Sequence, residues 1–61
     1  MSPEEILTRA IELEKEAIET YTDMKKEADP QTAELLEFLI RQEKEHIKLL
    51  NERLKAVRLL K

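Results

Sequence analysis

The stretch "ADPQ", Ala28 to Gln31, decides how this 61-residue chain is organised. Proline disfavours helix in the residue before it, so Asp29 must leave any helix arriving from the N-terminal side. The same Asp29 can cap a helix that departs on the other side, with Pro30 as its first residue. Nothing in either flank breaks a helix. Upstream, Ser2-Pro3-Glu4-Glu5 is a start signal, with Ser2 as N-cap, Pro3 at the first helical position and Glu5 closing a capping box. Downstream, Arg53, Lys55, Arg58 and Lys61 suit a helix C-terminus. The signals predict helix 1 over about 3–28, a turn at 29–30 and helix 2 over about 30–60, one hairpin spanning 1–61. So short a connection makes the two helices antiparallel neighbours.

Composition supports an all-α chain. Charged residues make up 41% and glycine is absent, while Tyr21 and Phe38 are the only aromatics. With no cysteine, disulfides, thiolate metal sites and thiol catalysis are excluded. A net charge of −3 argues against a nucleic-acid surface, which needs a basic face. No apolar run is long enough to span a bilayer and no signal-peptide pattern is present. The chain reads as soluble and cytoplasmic. A lone chain of this length buries little apolar surface, so a partner chain or a non-thiolate metal is the expected support.

The apolar pattern points to the partner. On helix 1 the stripe is Leu7, Ala10, Glu14, Ala17, Tyr21, Met24 and Ala28, flanked by Ile11 and Ile18. On helix 2 it is Leu36, Leu39, Glu43, His46, Leu50 and Val57, flanked by Ile40, Ile47 and Leu54. Leu35, Phe38, Leu49, Ala56 and Leu60 widen the second stripe to an arc of roughly 200°, more than one neighbour covers. Two such hairpins are expected to pack into a four-helix bundle, with a further contact along the wide shoulder.

Three polar residues interrupt the stripes: Glu14, Glu43 and His46. Glu14 stands between Ala10 and Ala17, small neighbours that leave room. It lies about 15 residues before the turn, and Glu43 to His46 lie about 14 to 17 after it, so all three come to one height, about 22 Å from the turn. Glu43 and His46 are one turn apart and can reach one point. A four-helix di-metal site takes a Glu from each of two helices and a Glu-x-x-His from each of the other two. One chain supplies half of that set, and two copies supply all of it. Four carboxylates in a low-dielectric seam are then balanced by two divalent ions. Carboxylate with imidazole suits iron, manganese or zinc better than calcium or magnesium. A bare Glu-x-x-His is weak by itself; the shared height and the third acid on the other helix make the pattern specific. Tyr21, a heptad from Glu14, and Gln42, at the edge of the seam, are candidates to stand beside the metals.

At these residues the sequence resembles the rubrerythrin branch of the ferritin-like superfamily. The resemblance rests on "ELEKEAIETY", with Glu14, Ala17 and Tyr21 in the family's Glu-x-x-Ala-x-x-x-Tyr spacing, and on "DPQTAELLEFLIRQEKEHIKLL". It implies that Glu14 is the single helix-borne carboxylate ligand, that Glu43 is the bridging or terminal carboxylate, and that His46 is the histidine ligand. It also implies a tyrosine near the irons at Tyr21. Family members usually join two hairpins in one chain. Here only one is present, so the site must form between chains, as in the similar encapsulated ferritins. The rubredoxin-type cysteine pair of full rubrerythrins is missing.

The functional expectation is a homodimeric, ferritin-like four-helix bundle holding two iron ions per dimer, with manganese or zinc as alternatives. It would oxidise Fe(II) with dioxygen or peroxide, as a ferroxidase or a peroxide-reducing di-iron oxidoreductase. The expected partner is a second copy of the chain, and the wide shoulder of helix 2 also suits a higher oligomer. The rival expectation is a metal-free or zinc-binding structural helical-bundle dimerisation module, a natural fragment or designed, in which the seam polars only set register.

Overall fold

The computed structural model describes residues 1–60, which form two helices, α1 (Pro3–Lys25) and α2 (Pro30–Leu59). Both starts are capped by the residues that announce them. Ser2 Oγ accepts a hydrogen bond from the Glu5 N–H at 3.1 Å, and Glu5 Oε1 accepts one from the Ser2 N–H at 3.4 Å. This reciprocal box satisfies two backbone donors that a helix start otherwise leaves unpaired. Asp29 is extended (φ −64°, ψ 163°), as the following proline requires, and its Oδ2 accepts from the Thr32 N–H at 3.3 Å.

Helix α1 ends at Lys25, not near Ala28, and the connection is correspondingly longer than a turn at 29–30. The N–H groups of Lys26, Glu27 and Ala28 bond to the carbonyls of Asp23, Met24 and Lys25, each three residues back. This tightening caps the last carbonyls and lets the chain reverse before Asp29 must be extended. No described residue takes a positive φ, so a glycine-free chain reverses using right-handed helical and extended conformations alone.

Where the helices meet, the spacing is heptad-like. Leu7, Ile11, Glu14, Ile18, Tyr21 and Lys25 of α1 face Leu36, Ile40, Glu43, Ile47, Leu50 and Leu54 of α2, and all are buried or half-buried. Steps of four and three in alternation are those of an antiparallel helix seam. The seam therefore runs through Ile11 and Ile18, which the sequence pattern puts on its flank. Met24, expected within it, is 50% exposed. The physical reason is that each helix carries two adjacent apolar faces. One meets the other helix. The second holds Ile6, Leu13 and Met24 on α1 and Leu35, Phe38 and Leu49 on α2, all exposed. At about 100° per residue, both sets turn to the same side of the hairpin. The result is a flat rod, 48 × 17 × 11 Å, with one long side uncovered and apolar.

The turn end is tied by an ion pair between Lys25 Nζ and Glu37 Oε2. Hydrogen bonding to Lys25, and then its charge, hold the Glu37 carboxyl below the usual carboxylate range. The bond to Thr32 does the same for Asp29. Folding thus lowers both pKa values from the ordinary 3.8 and 4.5. The stability they contribute is fully present above those ordinary values and is lost as pH falls through the lowered ones. Melting temperature followed by circular dichroism is expected to fall as pH drops below about 4. A Glu37→Gln/Asp29→Asn chain should show a shallower fall, and an equally steep one would assign the acid sensitivity to other groups.

Candidate metal centre

The three polar residues of the seam come together. Glu14 sits on α1, opposite the turn of α2 that carries Glu43 and His46. His46 Nδ1 lies 3.4 Å from Glu14 Oε1 and 3.8 Å from Glu43 Oε2. One ligand atom from each of the three side chains falls within 4.8 Å of the other two. Antiparallel packing produces this meeting, because residues at equal distances from the turn share a height.

The environments differ around the cluster. The Glu43 and Glu14 side chains are 19% and 23% exposed, whereas that of His46 is 48% exposed. His46 is thus at the rim and not at the core position that the stripe suggests. Three residues turn a helix by about 300°, so His46 sits about 60° round from Glu43, toward the uncovered apolar side. The cluster therefore opens onto the face that lacks a partner. Ala10 and Ala17 are half-buried on either side of Glu14 and add little bulk.

One atom in this cluster is poorly served. Glu14 Oε2 is buried and has no hydrogen-bond partner. A buried carboxylate oxygen left unpaired is costly, and a cation is one of the few groups that relieves it. Two carboxylates and an imidazole also match the ligand preferences of divalent transition metals. The residues present fit such an ion, and three donors leave coordination positions for others to fill.

Tyr21 is half-buried in the same seam as Glu14, and Gln42 is exposed on the uncovered side near His46. Neither hydrogen-bonds to the cluster. Two cross-helix pairs are not apparent from the sequence pattern: Lys25–Glu37 at the turn end and Arg58 Nε–Glu4 Oε2, 3.9 Å apart, at the open end. Matching residues by their distance from the turn is the signal that finds them. With Glu14–His46, they mark the register of the hairpin at its two ends and its middle.

No helix among the described residues is long and apolar enough to cross a membrane. The family model described as Rubrerythrin matches residues 5–60. A relative from Archaeoglobus fulgidus, described as an uncharacterized protein, is 77% identical over 61 residues, covering 100% of this chain and 97% of the relative. No solved structure matches the chain.

Proposed function

This chain belongs to the rubrerythrin family, and from that premise we propose that it is a di-iron carboxylate protein whose centre forms between two hairpins. Domains of this family generally bind iron and usually oligomerise. The observation that carries the reading is the convergence of Glu14, Glu43 and His46 around a buried, unpartnered Glu14 Oε2. One hairpin brings half of the ligand set that a four-helix di-metal bundle needs. A second hairpin docked on the uncovered apolar side brings the other half and covers Ile6, Leu13, Phe38 and Leu49. The whole chain, 1–61, acts as one such hairpin, working in the cytoplasm.

Each chain has a distinct task for each side chain. Glu14 and Glu43 would hold the ions, and His46 would supply a nitrogen ligand from the rim. Tyr21 lines the seam beside them, and Gln42 stands at the edge where the second hairpin would pass. Two bound Fe(II) ions would supply the two electrons that, with two protons, take peroxide to two waters or begin the reduction of dioxygen. Manganese and zinc compete for the same donors.

The structural rival has one observation in its favour. His46 already pairs with Glu14 at 3.4 Å, so the cluster is partly satisfied without an ion. Anaerobic Fe(II) titration with metal analysis and sedimentation separates the two. About two irons per dimer are expected, followed by oxidation on admitting peroxide. A dimer that takes up no stoichiometric metal is the structural module. A dimer that holds zinc and stays redox-silent when loaded with iron is a scaffold without catalysis.

A further inference from the structure

Each acidic residue of the candidate centre is followed by a lysine, Glu14 by Lys15 and Glu43 by Lys44. One step along a helix turns about 100°, so each lysine keeps nearly its neighbour's height but leaves the cluster's side. Leu36 and Leu54 are buried and mark the seam of α2. Lys44, Lys55, Lys48 and Arg41 lie about 80–140° round from that line, and Leu35, His46 and Leu49 lie about as far round the other way. Lys15 leaves the α1 seam by about 80° toward the same back side, away from Ile6 and Leu13. All of these cations are exposed. Lys15, Lys44, Lys48 and Lys55 form no ion pair among the described residues, and Arg41 reaches Glu37 only at 4.0 Å.

The acids around this patch are engaged or turned aside. Glu4 pairs with Arg58, Glu37 with Lys25, Glu12 with Arg9 and Asp23 with Lys26. Glu45 and Glu52 turn to the outer edge of α2, about 160–180° from its seam. Glu19 remains, about 120° from the α1 seam and so further round than Lys15. A chain of net charge −3 thus gathers unpaired cations on one side. That side spans the height of the metal cluster, and a second hairpin on the apolar side leaves it open.

We propose that this back face is the docking surface for a small acidic electron-carrier protein, a proposal that rests on the di-iron reading. Peroxide reduction at the proposed centre takes two electrons per turnover, and a reductant must return them. The carrier gives up one electron at each docking and leaves oxidised, so two dockings restore both ions to Fe(II) and no atoms are exchanged. The rod is 11 Å thick, so a partner on its back lies about one helix diameter from Glu14, Glu43 and His46. Lysine ammonium groups on flexible stems attract an acidic surface without fixing it, which suits a brief and repeated encounter. A carrier is favoured over nucleic acid because the chain as a whole is acidic and repels a long polyanion beyond the patch.

The test uses an acidic flavodoxin as the probe and reduced methyl viologen, which needs no docking surface, as the control reductant. Stopped-flow mixing follows reduction of the iron-loaded, oxidised whole protein at about 10 mM and about 1 M salt, between which the screening length drops from about 30 Å to about 3 Å. Reduced flavodoxin is expected to act about tenfold or more faster at the lower salt. Lys44→Glu/Lys48→Glu/Lys55→Glu should lose that advantage, and Lys44→Arg/Lys48→Arg/Lys55→Arg should keep it. Methyl viologen should reduce the charge-reversed variant no more slowly than the wild type. In the metal-free protein, oxidised flavodoxin should shift the amide signals of Lys15, Arg41, Lys44, Lys48 and Lys55 and leave those of Leu13 and Leu49 in place. Equal flavodoxin rates in wild type and charge-reversed variant would overturn the proposal, as would amide shifts confined to the apolar side. A DNA duplex that moves the lysine amides where flavodoxin moves none would overturn it in favour of nucleic-acid binding. A chain that takes up no iron removes the di-iron reading and this proposal with it. A chain that holds iron and is reduced by viologen, but shows no flavodoxin dependence on the lysines, removes this proposal alone.

Discussion

Replacing Glu43 with alanine is expected to erase the metal-linked rise in melting temperature while leaving the metal-free protein at least as stable as before. The two halves of this result have different causes. Without metal, Glu43 and Glu14 place two mostly buried carboxylates beside one half-exposed imidazole. Removing one acid relieves crowding of like charge in a seam, where burial of charge is costly. With metal, the ion binds only the folded chain, and it adds about 2.7 kcal/mol of stability at a hundredfold excess over its dissociation constant. In a chain this short each kcal/mol moves the melting temperature by about 4–8 °C, so a rise on the order of 10 °C or more is expected for the wild type. Glu43→Ala loses a ligand from each half of the centre, and the rise should vanish. Thermal melts with and without Fe(II) under anaerobic conditions read both halves. A variant that keeps the full metal-linked rise would remove Glu43 from the ligand set.

Truncating Ile40 to alanine is expected to be the most damaging single change in the hairpin. Ile40 is 4% exposed, the least of the buried residues among those described, Ile11, Leu36, Ile40 and Leu54. Cutting a buried isoleucine back to alanine costs about 2–5 kcal/mol, from lost burial and from the cavity left behind. So small a core has little margin to absorb that loss. The melting temperature should fall by on the order of 10 °C or more, and Ile40→Val, at about 0.5–1.5 kcal/mol, should fall in between. Phe38→Ala is the control. Phe38 is half exposed in one chain, so a loss as large as that of Ile40→Ala would show that a second copy buries it.

The hairpin itself was legible because its signals are local. Ser2, Glu5, Asp29 and Pro30 act on backbone groups within a few residues, and each does in the fold what its neighbours lead one to expect. The phase of the seam was harder to read. On α1 the run of Ala10, Ala17 and Met24 and the run of Leu7, Ile11 and Ile18 are both apolar, and a wide arc has no unique centre. Only the second helix decides between them, and it selects the bulkier isoleucines. His46 shows the same limit: its spacing from Glu43 puts it one turn along, but its remaining 60° carries it to the rim. The meeting of Glu14 with Glu43 and His46 was nevertheless readable, because height in an antiparallel hairpin follows from counting to the turn. The end of α1 at Lys25 was not, since three tightened hydrogen bonds close the helix where no glycine or proline marks it.

The way this chain turns around has a bearing on how freely it can vary. A reversal that relied on a left-handed residue would be tied to glycine or asparagine there, and one substitution could undo it. Here Lys26, Glu27 and Ala28 occupy conformations open to nearly any side chain, and only the Asp29-Pro30 pair carries specific geometry. A chain without glycine also has fewer unfolded conformations to give up on folding. The connection is therefore permissive in sequence yet sparing in entropy, which lets the bend drift in composition while the register that sets Glu14 against His46 is retained.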